Sequence, residues 1–234
     1  MNTKMKINIE ELKKKNVHDN EHLDTPFEGT FYDADYFENG QESGKGWLEN
    51  YRWMPRRSFR EGLGIIDYLG LDDDSYVLDV GCAKGFIVRA LRELEIKADG
   101  CDISDYALSF APKGSWNCTS WEEHYDFGYT HVIIKDMMEH LTIPQLDEML
   151  QTIKKVGKTL FVVVPIGDDG VYRIPEYHME ISHLIAEDEE WWLNKFIKNG
   201  WKVDKHCPSI PGMKDNWDSH ADGLGNHVFV LKID

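Results

Sequence analysis

The chain has 234 residues, enough for one α/β domain with a sizeable core, and nothing in it repeats at a fixed period. A formal net charge of -16 with no gathered basic patch argues against a nucleic-acid partner, since such a surface repels a phosphate backbone. No run of about eighteen apolar residues occurs, and residues 1–15 are polar and lysine-bearing, so neither a membrane span nor a signal core is expected and the chain reads as cytoplasmic.

Residues 1–56 carry scattered aromatics without strong periodicity and read as a lead-in that packs over a domain at 57–234; residues 7–15 allow a short helix. Ser58 followed by Glu61 has capping-box spacing, apolar Phe59, Leu63, Ile66 and Leu69 follow at helical intervals, and Gly70 is a stop. Arg56, Arg57 and Arg60 fit a solvated helix face. Residues 76–80 read as a buried parallel strand, 81–85 as a glycine loop, and the next stretch as a helix with Phe86, Ile87, Ala90, Leu91 and Leu94 on its apolar side. A short strand at 98–101 ends at Asp102, and Ser104 caps a helix reaching Phe110. Weaker strand character at 116–118 precedes a fourth strand at 131–134. Thr142 and Pro144 open a helix, and 160–164 is a β-branched fifth strand. A helix follows Ala186, with acids at its start and Lys195, Lys198 and Asn199-Gly200 at its end. Trp191 and Trp192 on it suggest one core ring and one partly exposed. Strands at 201–205 and 227–233 complete the set. Strand–helix alternation predicts a Rossmann-like, doubly wound α/β fold. It has a mainly parallel seven-stranded sheet, helices on both faces, and an antiparallel last strand, because the loop before that strand has no crossover helix.

The four cysteines Cys82, Cys101, Cys118 and Cys207 form no CxxC pair, so a zinc site is not expected. The loop aspartates Asp168, Asp169, Asp215 and Asp218 match no metal template and read as solvated turns, which leaves no metal centre expected. The segment at 77–86 carries the functional signal. A buried strand runs into glycines and then a helix, which is where α/β sheets bind ligands, and Asp102 at the end of the next strand can accept bonds from both ribose hydroxyls. A nicotinamide-dinucleotide fingerprint, GxGxxG, would need glycine at 83 and 86, where the chain has Ala83 and Phe86; a phenylalanine there would crowd the helix against the strand.

The string LDVGCAKG (78–85) followed by CDIS (101–104) resembles the first motif and the acid after strand two of class I S-adenosylmethionine (SAM) dependent methyltransferases. IIKDMMEHL (133–141), VVVPIGDDG (162–170) and EDEEWWLNKFIKNGWKV (187–203) extend the resemblance across roughly 58–206 and the last strand. It implies that Asp79 sits near the SAM amino group, that Gly81 and Gly85 shape the pocket beneath the methionine part, and that Cys82, Ala83 and Phe86 are further cofactor-binding residues. Asp102 would hold the ribose and Ile103 would pack on the adenine. Ser120 or Trp121 would lie at the adenine edge, and Asp136 and Met137 near the sulfonium. Ala83 stands where a glycine is common in the family. Tyr36, Tyr51 and Arg52 in the lead-in could fold over the site, with Arg52 pairing the SAM carboxylate. S-adenosylhomocysteine would be the product.

Methyl transfer asks mainly for orientation, and a hydroxyl acceptor adds the need for a base, for which histidine is suited. His178 and His183 lie after the fifth strand, where acceptor-binding insertions occur in the resembled family. His183 is the first candidate, His178 and His140 follow, and His220 is weaker. The Asn/Asp-Pro-Pro-aromatic tetrad of base amino-methylases is missing; the chain has Asp136-Met137-Met138-Glu139. The expected activity is O-methylation of a small polar metabolite or a sugar or glycan. A nicotinamide-dependent reductase and a non-catalytic SAM-binding module are the alternatives.

Overall fold

The computed structural model describes residues 26–117, 127–215 and 225–233. The expected features at Ser120, Trp121, Cys118, Asp218, His220 and residues 7–15 lie outside the described residues. Seven strands form one sheet: β1 (Tyr76–Val80), β2 (Lys97–Asp102), β3 (Ser115–Asn117), β4 (His131–Lys135), β5 (Thr159–Pro165), β8 (Lys202–Cys207) and β9 (Asn226–Lys232). Their order is β3-β2-β1-β4-β5-β9-β8. β9 runs antiparallel between β5 and β8, and the remaining neighbours pair in parallel. The short hairpin of β6 (Gly167–Asp168) and β7 (Val171–Tyr172) stands apart from the sheet. It turns through Asp169 and Gly170, both at positive φ, and Asp-Gly is the sequence signature of such a two-residue turn.

Alternation along the strands separates two apolar layers. Leu78, Val80, Val132, Ile134, Leu160 and Val162 face a core completed by Leu146, Leu150, Trp192 and Phe196. Val77, Ile133, Phe161 and Val163 face the opposite core, completed by Ile65, Val88 and Leu91. Helices therefore cover both faces of strands that are apolar on both sides. The helices are α1 (Ala34–Glu38), α2 (Gly40–Ser43), α3 (Pro55–Leu69), α4 (Phe86–Glu93), α5 (Asp105–Leu108), α6 (Ile143–Thr152) and α7 (Glu189–Lys198). Trp192 is fully buried and Trp191 packs partly exposed against the same core, as expected.

α3 begins earlier than the Ser58 signal suggests. Pro55 occupies its first turn, and Ser58 lies buried inside the helix without capping it. Proline fits that position because the missing N–H is an orphan there anyway. Its C-terminus is the expected Gly70 at φ +69. On α4 the core face is Val88, Ala90 and Leu91, while Phe86 and Ile87 turn toward a cavity. No helix among the described residues is long and apolar enough to cross a membrane.

Candidate functional site

β1 pairs with β2 on one side and β4 on the other, so the chain reverses direction of winding at the carboxyl end of β1. Such a switch point opens a crevice. A cavity of about 870 Å³ lies there, floored by Val80, Gly81 and Ala83 and walled by Asp102, Asp136, Met137, Glu139, His140 and His183. Phe27, Tyr32, Tyr36, Tyr51 and Arg52 of the lead-in line it as well.

The glycine loop is tied to β2: the amides of Gly81 and Cys82 donate to the Cys101 carbonyl at 2.8 and 3.0 Å. Gly81 has φ +76, and a methyl group there would stand 2.6 Å from Met137 Cγ, so only glycine fits. Ala83 also sits at positive φ, +48, a left-handed position that costs a side-chain-bearing residue roughly 1–2 kcal/mol. Cys82 is buried beneath the loop and does not line the cavity. Phe86 does not crowd the strand; its ring leaves the helix toward the lead-in, 4.9 Å from Tyr51 and 5.9 Å from Trp53.

Asp102 faces the cavity. One carboxylate oxygen accepts from the Ala83 amide and the other from the Ser104 amide, both at 2.8 Å. Each oxygen keeps a further lone pair for a ligand hydroxyl. Burial raises this carboxyl, and the amides of Ser104, Ala83 and Ile103 oppose the rise. Next to it Ile103 is 39 % exposed, an apolar side chain left uncovered at the cavity. Asp79 is buried in β1 behind the lining, and burial pushes its carboxyl up to about 7, with Lys135 opposing and Asp102 and Glu61 adding to the rise. Asp136 closes β4 at φ +52. Its oxygens bind Lys135 Nζ at 2.6 Å and Lys214 Nζ at 2.9 Å. Burial alone would raise its carboxyl, but these two ammonium groups hold it well below the usual range.

On the cavity wall, His140 and His183 meet edge to face with ring centroids 4.7 Å apart. Glu139, 1 % exposed, reaches His183 Nε2 at 3.8 Å. Burial pushes His140 down to about 4 and, with His140 beside it, holds His183 well below its usual value, so both rings are neutral near pH 7. Burial and the Asp136 charge raise Glu139 well above the usual carboxylate range. His140 Nδ1 bonds Ser182 Oγ at 2.9 Å, and Ser182 donates onward to Glu180. His178 stands apart from this group. Its Nε2 accepts the Tyr172 amide at 2.9 Å and so braces the β6–β7 hairpin. Among the loop aspartates, Asp168 pairs with Arg173 and Asp215 with Arg60, both at 2.8 Å.

Sequence reasoning missed Lys135, Lys214, Glu180, Arg57 and Tyr32 at the cavity. Lys135 had a signal, a lone cation closing an apolar strand, where burial demands a partner. Lys214 had none, because only the fold brings it from a long loop to Asp136.

The lead-in is fixed to the loop. Lys84, buried between them, binds the Glu38 carboxylate and the Tyr51 carbonyl, the latter at 2.9 Å. The Tyr106 hydroxyl donates to the same Glu38 oxygen at 3.0 Å, and Ser104 Oγ donates to the Tyr32 carbonyl.

No protein-family model matches the chain. No curated protein matches it either. Solved structures do. A SAM-dependent methyltransferase from Archaeoglobus fulgidus superposes with a TM-score of 0.54 at 18% identity, over 74% of this chain and 94% of that one. The mitomycin 7-O-methyltransferase MmcR gives 0.53 at 12% identity, over 77% of this chain and 54% of that one. The [4+2]-cyclase SpnF gives 0.58 at 15% identity, over 88% and 94%. Seven strands in the order found here, one of them antiparallel, around a glycine loop at the β1 switch point make this the Rossmann-like fold of the class I SAM-dependent methyltransferases.

Proposed function

We propose that the protein is a SAM-dependent methyltransferase acting on an oxygen of a small polar metabolite or a sugar or glycan. The observation that carries this reading is Asp102. It is fixed at the end of β2 by the Ala83 and Ser104 amides, faces a cavity of about 870 Å³ with lone pairs to spare, and has the uncovered Ile103 beside it. That is an arrangement for a ribose and an adenine face. Gly81 and Ala83 would lie beneath the methionine part, and Arg52 and Arg57, both at the cavity, could take its carboxylate. When bound, SAM supplies an electrophilic methyl group on a sulfonium. The chain's own part is to hold the acceptor in line with that methyl and to keep water out. The neutral rings of His140 and His183 supply acceptors for a hydroxyl proton on the cavity wall.

Residues 1–56 would form the lead-in that closes the site and 57–234 the catalytic domain. The likeness to an O-methyltransferase supports an oxygen acceptor. The likeness to a [4+2]-cyclase means that fold alone does not choose the reaction, so the cofactor has to be tested directly. Calorimetric titration with SAM, S-adenosylhomocysteine and NADH does so. Micromolar binding of the first two and none of the third is expected. Asp102→Asn should weaken SAM about 10- to 100-fold, as loss of a charge-assisted bond implies. NADH binding without SAM binding would return the loop to the nicotinamide reading.

A further inference from the structure

Three groups with lone pairs converge on one wall of the cavity. One ligand atom each from Glu139, His140 and His183 lies within 4.8 Å of the other two. The 3-10 turn Met138–His140 supplies the first two. The segment bearing His183 is clamped to that turn by the Leu184 and Ile185 amides, which donate to the Glu139 carbonyl at 2.7 and 3.2 Å. Ser182 Oγ lies 2.9 Å from His140 Nδ1 and 3.2 Å from Glu180 Oε1; when its hydrogen is on Glu180 it accepts from His140 Nδ1–H, and the Nε2 lone pair of that ring is left over. Glu139 Oε2 is buried with no protein partner among the described residues.

Lone pairs gathered around one point are the arrangement that a shared cation uses. A proton does not bridge the pair, because 3.8 Å from Glu139 Oε1 to His183 Nε2 is too long for a hydrogen bond. It does suit a shared ion, since two atoms each bound at roughly 2.1 Å to one ion stand about 3–4 Å apart. We propose that Glu139, His140 and His183 bind one divalent transition-metal ion whose open positions face the cavity. The donor set selects the ion. Asp136, the next carboxylate, is committed to Lys135 and Lys214, so a single oxygen donor and two imidazoles remain. Magnesium and calcium prefer oxygen donors, whereas imidazole suits zinc, iron, cobalt or nickel. The Ser182 bond to His140 is the outer-shell support such a ligand usually has. Resting on the methyl-transfer reading, an acceptor hydroxyl bound at an open position would have its pKa lowered by the ion and would release its proton to solvent at the cavity mouth, since the imidazole lone pairs would then serve the metal; the methyl–sulfur electron pair would stay on sulfur as the new oxygen–methyl bond forms.

The test uses the full chain, stripped with a chelator and titrated with Co²⁺ in the absence of SAM. One Co²⁺ per chain with visible d–d absorption is expected. Glu139→Gln and His183→Gln should each weaken it at least about tenfold. His206→Ala should leave it unchanged, which separates the site from the His206–His227 pair. No absorption in the native chain, absorption that persists in His183→Gln, or absorption lost in His206→Ala overturns the site. Should the Gln variants not fold by circular dichroism, pulsed electron spin resonance of Cu²⁺ bound to the His206→Ala chain counts coordinated imidazoles: two support the site, and one or none overturns it. A chain that binds SAM but no ion loses this inference and keeps the proposed cofactor. A chain that binds the ion but not SAM does the reverse.

Discussion

Asp79 and Asp102 lie on neighbouring strands, and their surroundings give them different characters. Asp102 accepts two amide bonds and faces the cavity, so its charge has partners. Asp79 is buried and pushed up to about 7. An unfolded chain releases that proton near pH 3.9. Between these values the folded chain carries a proton that the unfolded chain has lost. Stability from this group is therefore present at low pH and falls as pH rises toward 7. Asp79→Asn removes the dependence. In urea unfolding the variant should match the native chain near pH 4 and exceed it by roughly 2–4 kcal/mol at pH 8. An equal difference at both pH values would mean that Asp79 titrates normally in the folded chain. Ala83 is the other residue whose surroundings matter: at φ +48 it holds a backbone shape that glycine takes without strain, in the loop at the floor of the cavity.

Elements bring these residues to one place because each starts and stops where its sequence says. α6 shows this best. Gln145 donates its amide to Thr142 Oγ1 and accepts the Thr142 amide, a complete capping box with proline in the first turn. The helix buries Leu146 and Leu150 against the sheet and presents Gln145, Glu148 and Met149 to the cavity. Thr142→Ala should lower the unfolding free energy by about 1 kcal/mol with an unchanged urea slope. A loss below a few tenths would show that packing alone holds the helix. The β6–β7 hairpin is another local element with a positional result. Tyr172 on it contacts the His178 and His183 rings, so the turn helps set the wall where the histidines lie.

At the scale of the molecule, the lead-in and the glycine loop act as one body through Lys84. Its ammonium joins Glu38 and the Tyr51 carbonyl and also lies 4.7 Å from the Phe110 ring centre. Lys84→Met keeps the stem and removes the charge. The lead-in should then open more often, with limited proteolysis at 26–54 faster by about tenfold, equivalent to about 1.4 kcal/mol of local stability, and with weaker SAM binding. Unchanged cleavage would mean that the aromatic packing of Phe37, Tyr51 and Phe86 suffices to hold it.

Local chemistry was enough to settle much of this protein from its sequence. Glycine at a left-handed turn, an N-cap serine or threonine and a β-branched run each act over a few residues, so the seven strands, the antiparallel last strand, the loop at 81–85 and Asp102 were all legible. The Pro55 start of α3 and the Asp-Gly hairpin were also written in the sequence, in signals that were outweighed by Ser58 and by the solvated look of the aspartates. The histidine cluster was only half legible. Glu139 and His140 are adjacent, but His183 joins them through amide bonds from the segment after β7 to the Glu139 carbonyl. His178, five residues earlier, is spent on a backbone amide instead. The pairing of Lys214 with Asp136 and of Lys84 with Glu38 likewise spans long stretches of chain. Such contacts depend on which loops the sheet order brings together over the switch point, and no residue pattern along the chain encodes a distance across it.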